Sequence, residues 1–409
     1  MKRTLLFLFV LPSLILSAQS GPDQPVKGPG GSTYVHNKVR RTQYGENIHN
    51  WYWLYEPMDP KPDSTEVIIF LHGHTDNMDS LEVVDGFKLF CEHIAKKGYT
   101  VIYPMFQYGG YEVRASVRRV NTANVIKLAL NRLETDPDKV RIKRWPDGRI
   151  KLGIVGFSLG AGTTLGCVND YKILGLPAFD AVCVFSPGYA RSLADIPPDT
   201  KIALISGSDD DLNGPKASSN AHRHVWNILS THPCENRKYI MAYSDNHGTP
   251  KLKAKHDFCT SGKKKNDKVK LNALDYYGAW KWAVGILDCK FKDKNCAYVF
   301  GDKLPYYMGK WSDGKLVKPA VQFDSCMIAA SNIVLSPRLE WYPNPTDGVL
   351  HLETSVLPEK IEVRSIEGRL LSTAYHTRTI DISMLPAALY LVRTEWTDKT
   401  VRTFKVVKH

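Results

Sequence analysis

The chain has no apolar run long enough to cross a bilayer. Its one strongly apolar stretch, residues 5–16, follows Lys2 and Arg3 and falls well short of the roughly twenty residues a membrane helix requires. Cysteine is sparse, eight in 409 residues, which excludes a disulfide-dense scaffold. No CxxC or Cys/His ligand spacing is present, so a metal site has no support. Glycine (29) and proline (24) are too few for a collagenous or largely disordered chain. No repeat of fixed period occurs. Basic residues exceed acidic ones, 54 against 42 for a net charge of +12, but no aromatic-basic module or recognition helix accompanies them, so nucleic-acid binding is unsupported.

What is present is a globular composition, 43% apolar and 23% charged, at a length that predicts two or three domains. The basic start, the short apolar run broken by Pro12, and the small residues Ser17, Ala18 and Ser20 describe a secretory signal peptide over residues 1–20, cut after Ala18 or Ser20. Residues 21–33 are rich in glycine and proline and are expected to be a flexible leader. Export permits disulfides. Cys289 and Cys296, which flank the polar loop 290–295, are the best-placed pair, with Cys234 and Cys259 next. Cys167 and Cys183 lie in apolar segments and are expected as buried thiols.

Short β-rich apolar runs at 51–55, 67–71, 101–103, 152–155, 181–185, 202–205 and 239–243 alternate with segments at 84–95, 120–133, 225–229 and 274–287 whose apolar residues recur at three and four spacing. Strands with helices between them imply βαβ units, a mainly parallel central sheet, and ligand sites at the carboxyl ends of the strands. The periodicity changes between Val321 and Pro337. Beyond it, alternating segments at 349–352, 361–363, 380–382 and 389–392, separated by turns, predict a small all-β sandwich. The expected organisation is a catalytic domain at 34–316, a linker at 317–337 and a β-sandwich at 338–409.

The chemistry concentrates at strand ends. The run 152–155 leads into Gly156-Phe157-Ser158-Leu159-Gly160, a G-x-S-x-G sequence between an apolar strand and a small-residue segment. A sharp strand-to-helix turn leaves no room for side chains at the flanking glycines and lifts Ser158 Oγ clear of the sheet. A nucleophilic serine needs donors for the developing oxyanion. The amide of Leu159 is one, and the strand 67–71 runs into His72-Gly73-His74, where the glycine lets the His74 amide turn toward the site. The side chains of His72 and His74 are expected to pack and hydrogen-bond under that loop. The acid is expected after 202–205, in Ser206-Gly207-Ser208-Asp209-Asp210-Asp211, where the G-x-x-D spacing selects Asp210 and leaves Asp209 and Asp211 as alternatives. Its task is to hold and stabilise the imidazole. For the base, position after the next strand favours His247, with His256 as the alternate, because a loop of this length can deliver either. His222, His224 and His232 are expected at the surface.

In this order the motifs give residues 34–316 a resemblance to the α/β-hydrolases, nearest to secreted dienelactone-hydrolase-like and polyester-hydrolase-like esterases. The resemblance implies hydrolysis of a small-molecule, lipid or polymer carboxylic ester through an acyl-enzyme, with no metal and no cofactor. The same constellation serves peptidases, so an exported exopeptidase is the rival enzyme, and a surface binding protein on a hydrolase fold is the rival outside catalysis. Between His247 and Leu271 lies a lysine-rich stretch, Lys251 to Lys270, that reads as a solvated loop or as a basic rim attracting anionic substrates. The motifs Trp341-Tyr342-Pro343-Asn344-Pro345-Thr346-Asp347-Gly348 and Leu385-Pro386-Ala387-Ala388-Leu389-Tyr390-Leu391-Val392, with the terminal Lys405-Val406-Val407-Lys408, resemble a type A sorting domain of the type IX secretion system. That resemblance implies passage through the periplasm, engagement of the type IX machinery, and a secreted or cell-surface product.

Overall fold

The computed structural model describes residues 19–75, 85–107, 114–188, 190, 192–217, 221–260, 271–323, 340–353, 357–396 and 401–409. The expected signal peptide up to residue 18, much of the lysine-rich stretch and the centre of the expected linker lie outside the described residues. Two compact units divide between Cys326 and Met327.

In the first unit nine strands make one sheet: β1 Lys38–Tyr44, β2 Tyr52–Met58, β3 Val67–Leu71, β4 Thr100–Pro104, β5 Leu152–Phe157, β6 Ala181–Phe185, β7 Lys201–Gly207, β8 Arg237–Ala242 and β9 Val321–Gln322. Their spatial order is β1-β2-β4-β3-β5-β6-β7-β8-β9. Strands β3 to β8 run parallel, and β1, β2 and β9 add antiparallel edges. This mainly parallel sheet, flanked by helices, is the expected α/β-hydrolase architecture.

Parallel strands covered on both faces read as continuous apolar runs rather than alternations, and β3 shows why. Ile68 and Phe70 point into one core with Phe90 and Ile94 of helix α1 (Lys88–Lys96) and Trp282 and Ile286 of helix α5 (Trp280–Lys292). Val67, Ile69 and Leu71 point into the other, with Ile126 of helix α2 (Ala115–Thr135) and Leu165 of helix α3 (Leu159–Asn169). Helix α4 spans Ala221–Ile228. Strand β1 escaped the sequence reading because KVRRTQY is a polar, half-exposed edge without an apolar run.

Three expectations are corrected. Residues 21–33 are not a free leader: Lys97 Nζ donates to Gly28 O (3.0 Å) and Thr33 O (2.8 Å), and His93 Nε2 donates to Pro29 O at 2.8 Å. Gly30 passes so near Tyr276 that a Cβ would stand 1.8 Å from its carbonyl oxygen. The first unit also continues into the expected linker, because β9 pairs with β8 through Ile240 and Gln322. The third concerns cysteine. Cys289 and Cys296 are bonded as expected and Cys167 and Cys183 are buried thiols, but Cys259 is also a free buried thiol. Cys234, although disulfide-bonded, is therefore not paired with it.

The second unit is a sandwich of two antiparallel sheets. Strands β10 Glu340–Tyr342, β11 Val349–Glu353 and β14 Thr379–Asp381 make one. Strands β12 Lys360–Ser365, β13 Leu370–Tyr375, β15 Ala388–Glu395 and β16 Val401–Lys408 make the other. Its core is Trp341, Leu350, Ile361, Val363, Tyr390 and Val392 among others. Alternate residues supply it in β11 (Leu350, Leu352), β12 (Ile361, Val363) and β15 (Tyr390, Val392), as the period of two demands.

A π-helical turn, Asp275–Ala279, precedes α5, with Gly278 at φ −112° and ψ −106°. Asp275 is buried at its start. One carboxylate oxygen accepts the Asn272 amide at 2.9 Å and the other has no hydrogen-bond partner, so burial pushes the carboxyl up to about 7. The folded protein thus keeps this proton to about pH 7 while the unfolded chain loses it near 3.8, and stability falls as pH rises through that window. Asp275→Asn is expected to flatten this slope. Melting temperatures of wild type and variant between about pH 4 and 7 check it, and equal slopes would refute it.

Candidate active site

Ser158 stands between β5 and α3 with φ 52° and ψ −117°, a left-handed backbone that non-glycine residues adopt only under constraint. The constraint is visible on both sides. A Cβ on Gly156 would meet Thr164 Oγ1 at 2.3 Å, and one on Gly160 would meet the carbonyl oxygen of His72 at 2.2 Å. Glycine is required because the helix packs directly against the ends of β3 and β5. The Ser158 amide is held by Phe185 O at 2.9 Å.

Beyond β7 the three aspartates separate. Asp209 accepts from Lys216 Nζ (2.8 Å) and Ser244 Oγ (2.6 Å), and Asp211 is exposed. Asp210 is fully buried, and its Oδ1 accepts the amides of Leu212 (3.0 Å) and Asn213 (2.9 Å). Burial alone would raise its carboxyl. The hydrogen bond from His256, together with those amides, outweighs burial and holds it down at about 2.

The histidine that reaches Ser158 is His256, not His247. After β8 the chain makes a hairpin in which Asp245 and Leu252 exchange backbone hydrogen bonds of 2.9 Å each. His247 sits at the turn of this hairpin, where its Nε2 meets Asp313 Oδ2 at 2.7 Å and its ring stands edge-on to Trp311. The returning arm is fixed by the Asp209 amide donating to Ala254 O at 2.9 Å. Two residues later His256 Nε2 lies 2.7 Å from Ser158 Oγ and its Nδ1 3.0 Å from Asp210 Oδ1. Position after the strand pointed to the first histidine. The hairpin reverses the order, because a residue at its turn is carried away from the sheet end.

His72 is fully buried, donates from Nδ1 to Gly73 O at 2.6 Å and packs on Phe106. Burial drives its ring down to about 4, so it stays neutral. The His74 ring is exposed and meets Gln107 Nε2 at 2.6 Å. Gly73 passes beside Ser158: a Cβ there would stand 3.5 Å from that of the serine. His74, Ser158, Leu159 and His256 together line a cavity of about 1230 Å³. His222 and His232 are buried, against expectation, bonded to Tyr239 Oη and Thr200 O. His224 is half-buried and bonded to Ala190 O.

Residues 340–409 match the family model of the secretion system C-terminal sorting domain. The second unit is a sorting domain. Such a domain marks the chain for export to the cell surface or beyond, and among the described residues no helix is long and apolar enough to cross a membrane. For the first unit, a similar solved structure is an α/β hydrolase from a Medee basin deep-sea metagenome library. It is 12% identical, with a TM-score of 0.36, over 51% of this chain and 84% of that one. No curated protein matches the sequence.

Gly160→Ala is expected to destabilise the protein by about 1–3 kcal/mol, because its methyl meets backbone rather than a movable side chain. Urea denaturation beside wild type tests this, and an unchanged midpoint would count against the close packing at the turn.

Proposed function

We propose that the first unit is a serine hydrolase that cleaves carboxylic esters through an acyl-enzyme. The observation that carries this reading is the unbroken chain of contacts from Ser158 Oγ to His256 Nε2 (2.7 Å) and from His256 Nδ1 to Asp210 Oδ1 (3.0 Å). In this scheme His256 takes the Ser158 proton as the oxygen attacks the ester carbonyl, and Asp210 fixes the tautomer and stabilises the imidazolium. The amides of Leu159, at the positive end of α3, and His74 receive the oxyanion. The tetrahedral adduct collapses, the imidazolium protonates the departing alkoxide, and a water activated by the same histidine releases the acid. The chemistry needs only these groups. The sorting domain and the apolar start of the chain support export by way of a signal peptide and the type IX route.

With p-nitrophenyl esters from acetate to palmitate, Ser158→Ala and His256→Ala are each expected to lower kcat at least about a thousandfold. Asp210→Asn is expected to lower it about ten-thousandfold near neutral pH, through the wrong imidazole tautomer. His247→Ala should stay within a few-fold of wild type. Activity lost in His247→Ala but kept in His256→Ala would overturn the assignment of the base. A fluorophosphonate probe that fails to label Ser158 on the folded protein would favour a binding protein over an enzyme.

A further inference from the structure

Two adjacent aspartates follow β7, and the mechanism above uses only one of them. Asp210 meets the ring of His256. Asp209 bonds elsewhere: its Oδ1 accepts from Lys216 Nζ at 2.8 Å and its Oδ2 from Ser244 Oγ at 2.6 Å. These bonds, the lysine's first, hold its carboxyl below the ordinary range, so at neutral pH it is an anion.

Its two partners are not equal. The Lys216 side chain is 60% exposed, and ion pairs in water contribute little. The Ser244 bond is short and ends on a charged acceptor, which makes it the stronger of the two. The same hydroxyl has a second task, because its oxygen accepts the Ala254 amide at 2.8 Å. Ala254 is fully buried, so an amide left unpaired there would be costly. A hydroxyl that donates to an anion is polarised and accepts more strongly in turn. Ser208 Oγ accepts the Ser244 amide at 3.2 Å, and the Asp209 amide donates to Ala254 O at 2.9 Å. Both main-chain groups of Ala254 are therefore held from the turn after β7, one of them by way of Ser244.

Ala254 stands two residues before His256, and Ser186 Oγ fixes the histidine itself by donating to its carbonyl oxygen at 3.0 Å. The ring has to meet Ser158 Oγ at 2.7 Å and Asp210 Oδ1 at 3.0 Å at the same time. A misplacement of about 1 Å near the reacting atoms costs on the order of a hundredfold in rate. Without the Asp209 carboxylate the Ser244 hydroxyl loses the acceptor that orients it. Without the hydroxyl the Ala254 amide loses its partner, and the arm is held by one main-chain bond instead of two.

We propose that Asp209 is a positioning residue, which acts through the Ser244 hydroxyl and the main chain at Ala254 to hold His256 against Ser158 and Asp210. One aspartate grips the ring of the histidine, and its neighbour grips the backbone that delivers it. This rests on the hydrolase reading above and deepens it.

The test measures kcat and KM on p-nitrophenyl acetate for the full chain carrying Asp209→Ala, Ser244→Ala or both, each assayed well below its own melting temperature. Either alanine variant is expected to lower kcat about ten- to a hundredfold while KM stays within about twofold of wild type. The double variant should lose no more than the worse single one, because both changes undo the same connection. Asp209→Asn, whose amide oxygen still accepts from Ser244, should recover most of the activity, and Lys216→Gln should stay within about twofold of wild type. Wild-type kcat in both alanine variants, losses that multiply in the double variant, or a loss in Lys216→Gln equal to that in Asp209→Ala would overturn the inference. A second readout needs no turnover. The low-field proton resonance of the His256 Nδ1–H bonded to Asp210, identified by its absence in His256→Ala, should vanish in both alanine variants and persist in Asp209→Asn. That pattern in a protein that cleaves no ester would remove the hydrolase reading alone. A resonance that persists in both alanine variants would remove this inference, whether or not esters are cleaved.

Discussion

The arrangement at the sheet end depends on one backbone contact, the hydrogen bond from the Asp209 amide to Ala254 O. It joins the turn after β7 to the returning arm of the hairpin after β8, so the residues that follow each partner, Asp210 and His256, are brought side by side. Everything around the contact defends it. Ser244 Oγ accepts the Ala254 amide while donating to Asp209, Ser186 Oγ donates to His256 O, and the approach of Gly207 to Ala254 O, where a Cβ would stand at 2.3 Å, leaves no room for a side chain. A side-chain pair whose geometry is decided by main-chain hydrogen bonds is preorganised, since no long rotamer has to be frozen to bring it together.

The same economy governs the serine. Its left-handed backbone is a local cost, held in place because α3 packs so tightly on β3 and β5 that Gly156 and Gly160 touch backbone or a buried hydroxyl. The large apolar cores on both sheet faces, with Phe70, Phe90 and Trp282 on one and Ile126 and Leu165 on the other, make that packing stiff. Strain at Ser158 and a neutral His72 beneath the loop thus come from burial that the rest of the fold enforces, whereas the Asp210 carboxyl is held down against burial by His256 and the amides of Leu212 and Asn213. The residues of 21–33, tied down by Lys97 and His93, extend the same body rather than trailing from it.

Charge is distributed with equal purpose. Part of it lines the cavity from α2 and part decorates the exposed side of the arm that ends at His256. Charges of one sign around a cleft focus the field on what enters it.

The sequence by itself determined the layers and the strand ends. Buried parallel strands must be continuous apolar runs, so β3 and β6 were legible to the residue, and G-x-S-x-G after such a run can hardly be anything but a strand-to-helix turn. The proline, asparagine and tyrosine landmarks of 340–409 likewise identified the sorting domain, because short sandwich strands carry their pattern locally. Only the tertiary structure decided which histidine meets Ser158, that the glycine-rich segment 21–33 is packed, and that Cys234 and Cys259 do not pair. Each of these turns on contacts between residues distant in sequence, or on a hairpin whose turn residues look no different in the chain from those of its arms. Local pattern fixes which face of an element is buried. It carries no information about where a polar loop, held by main-chain hydrogen bonds that any sequence can make, will come to rest.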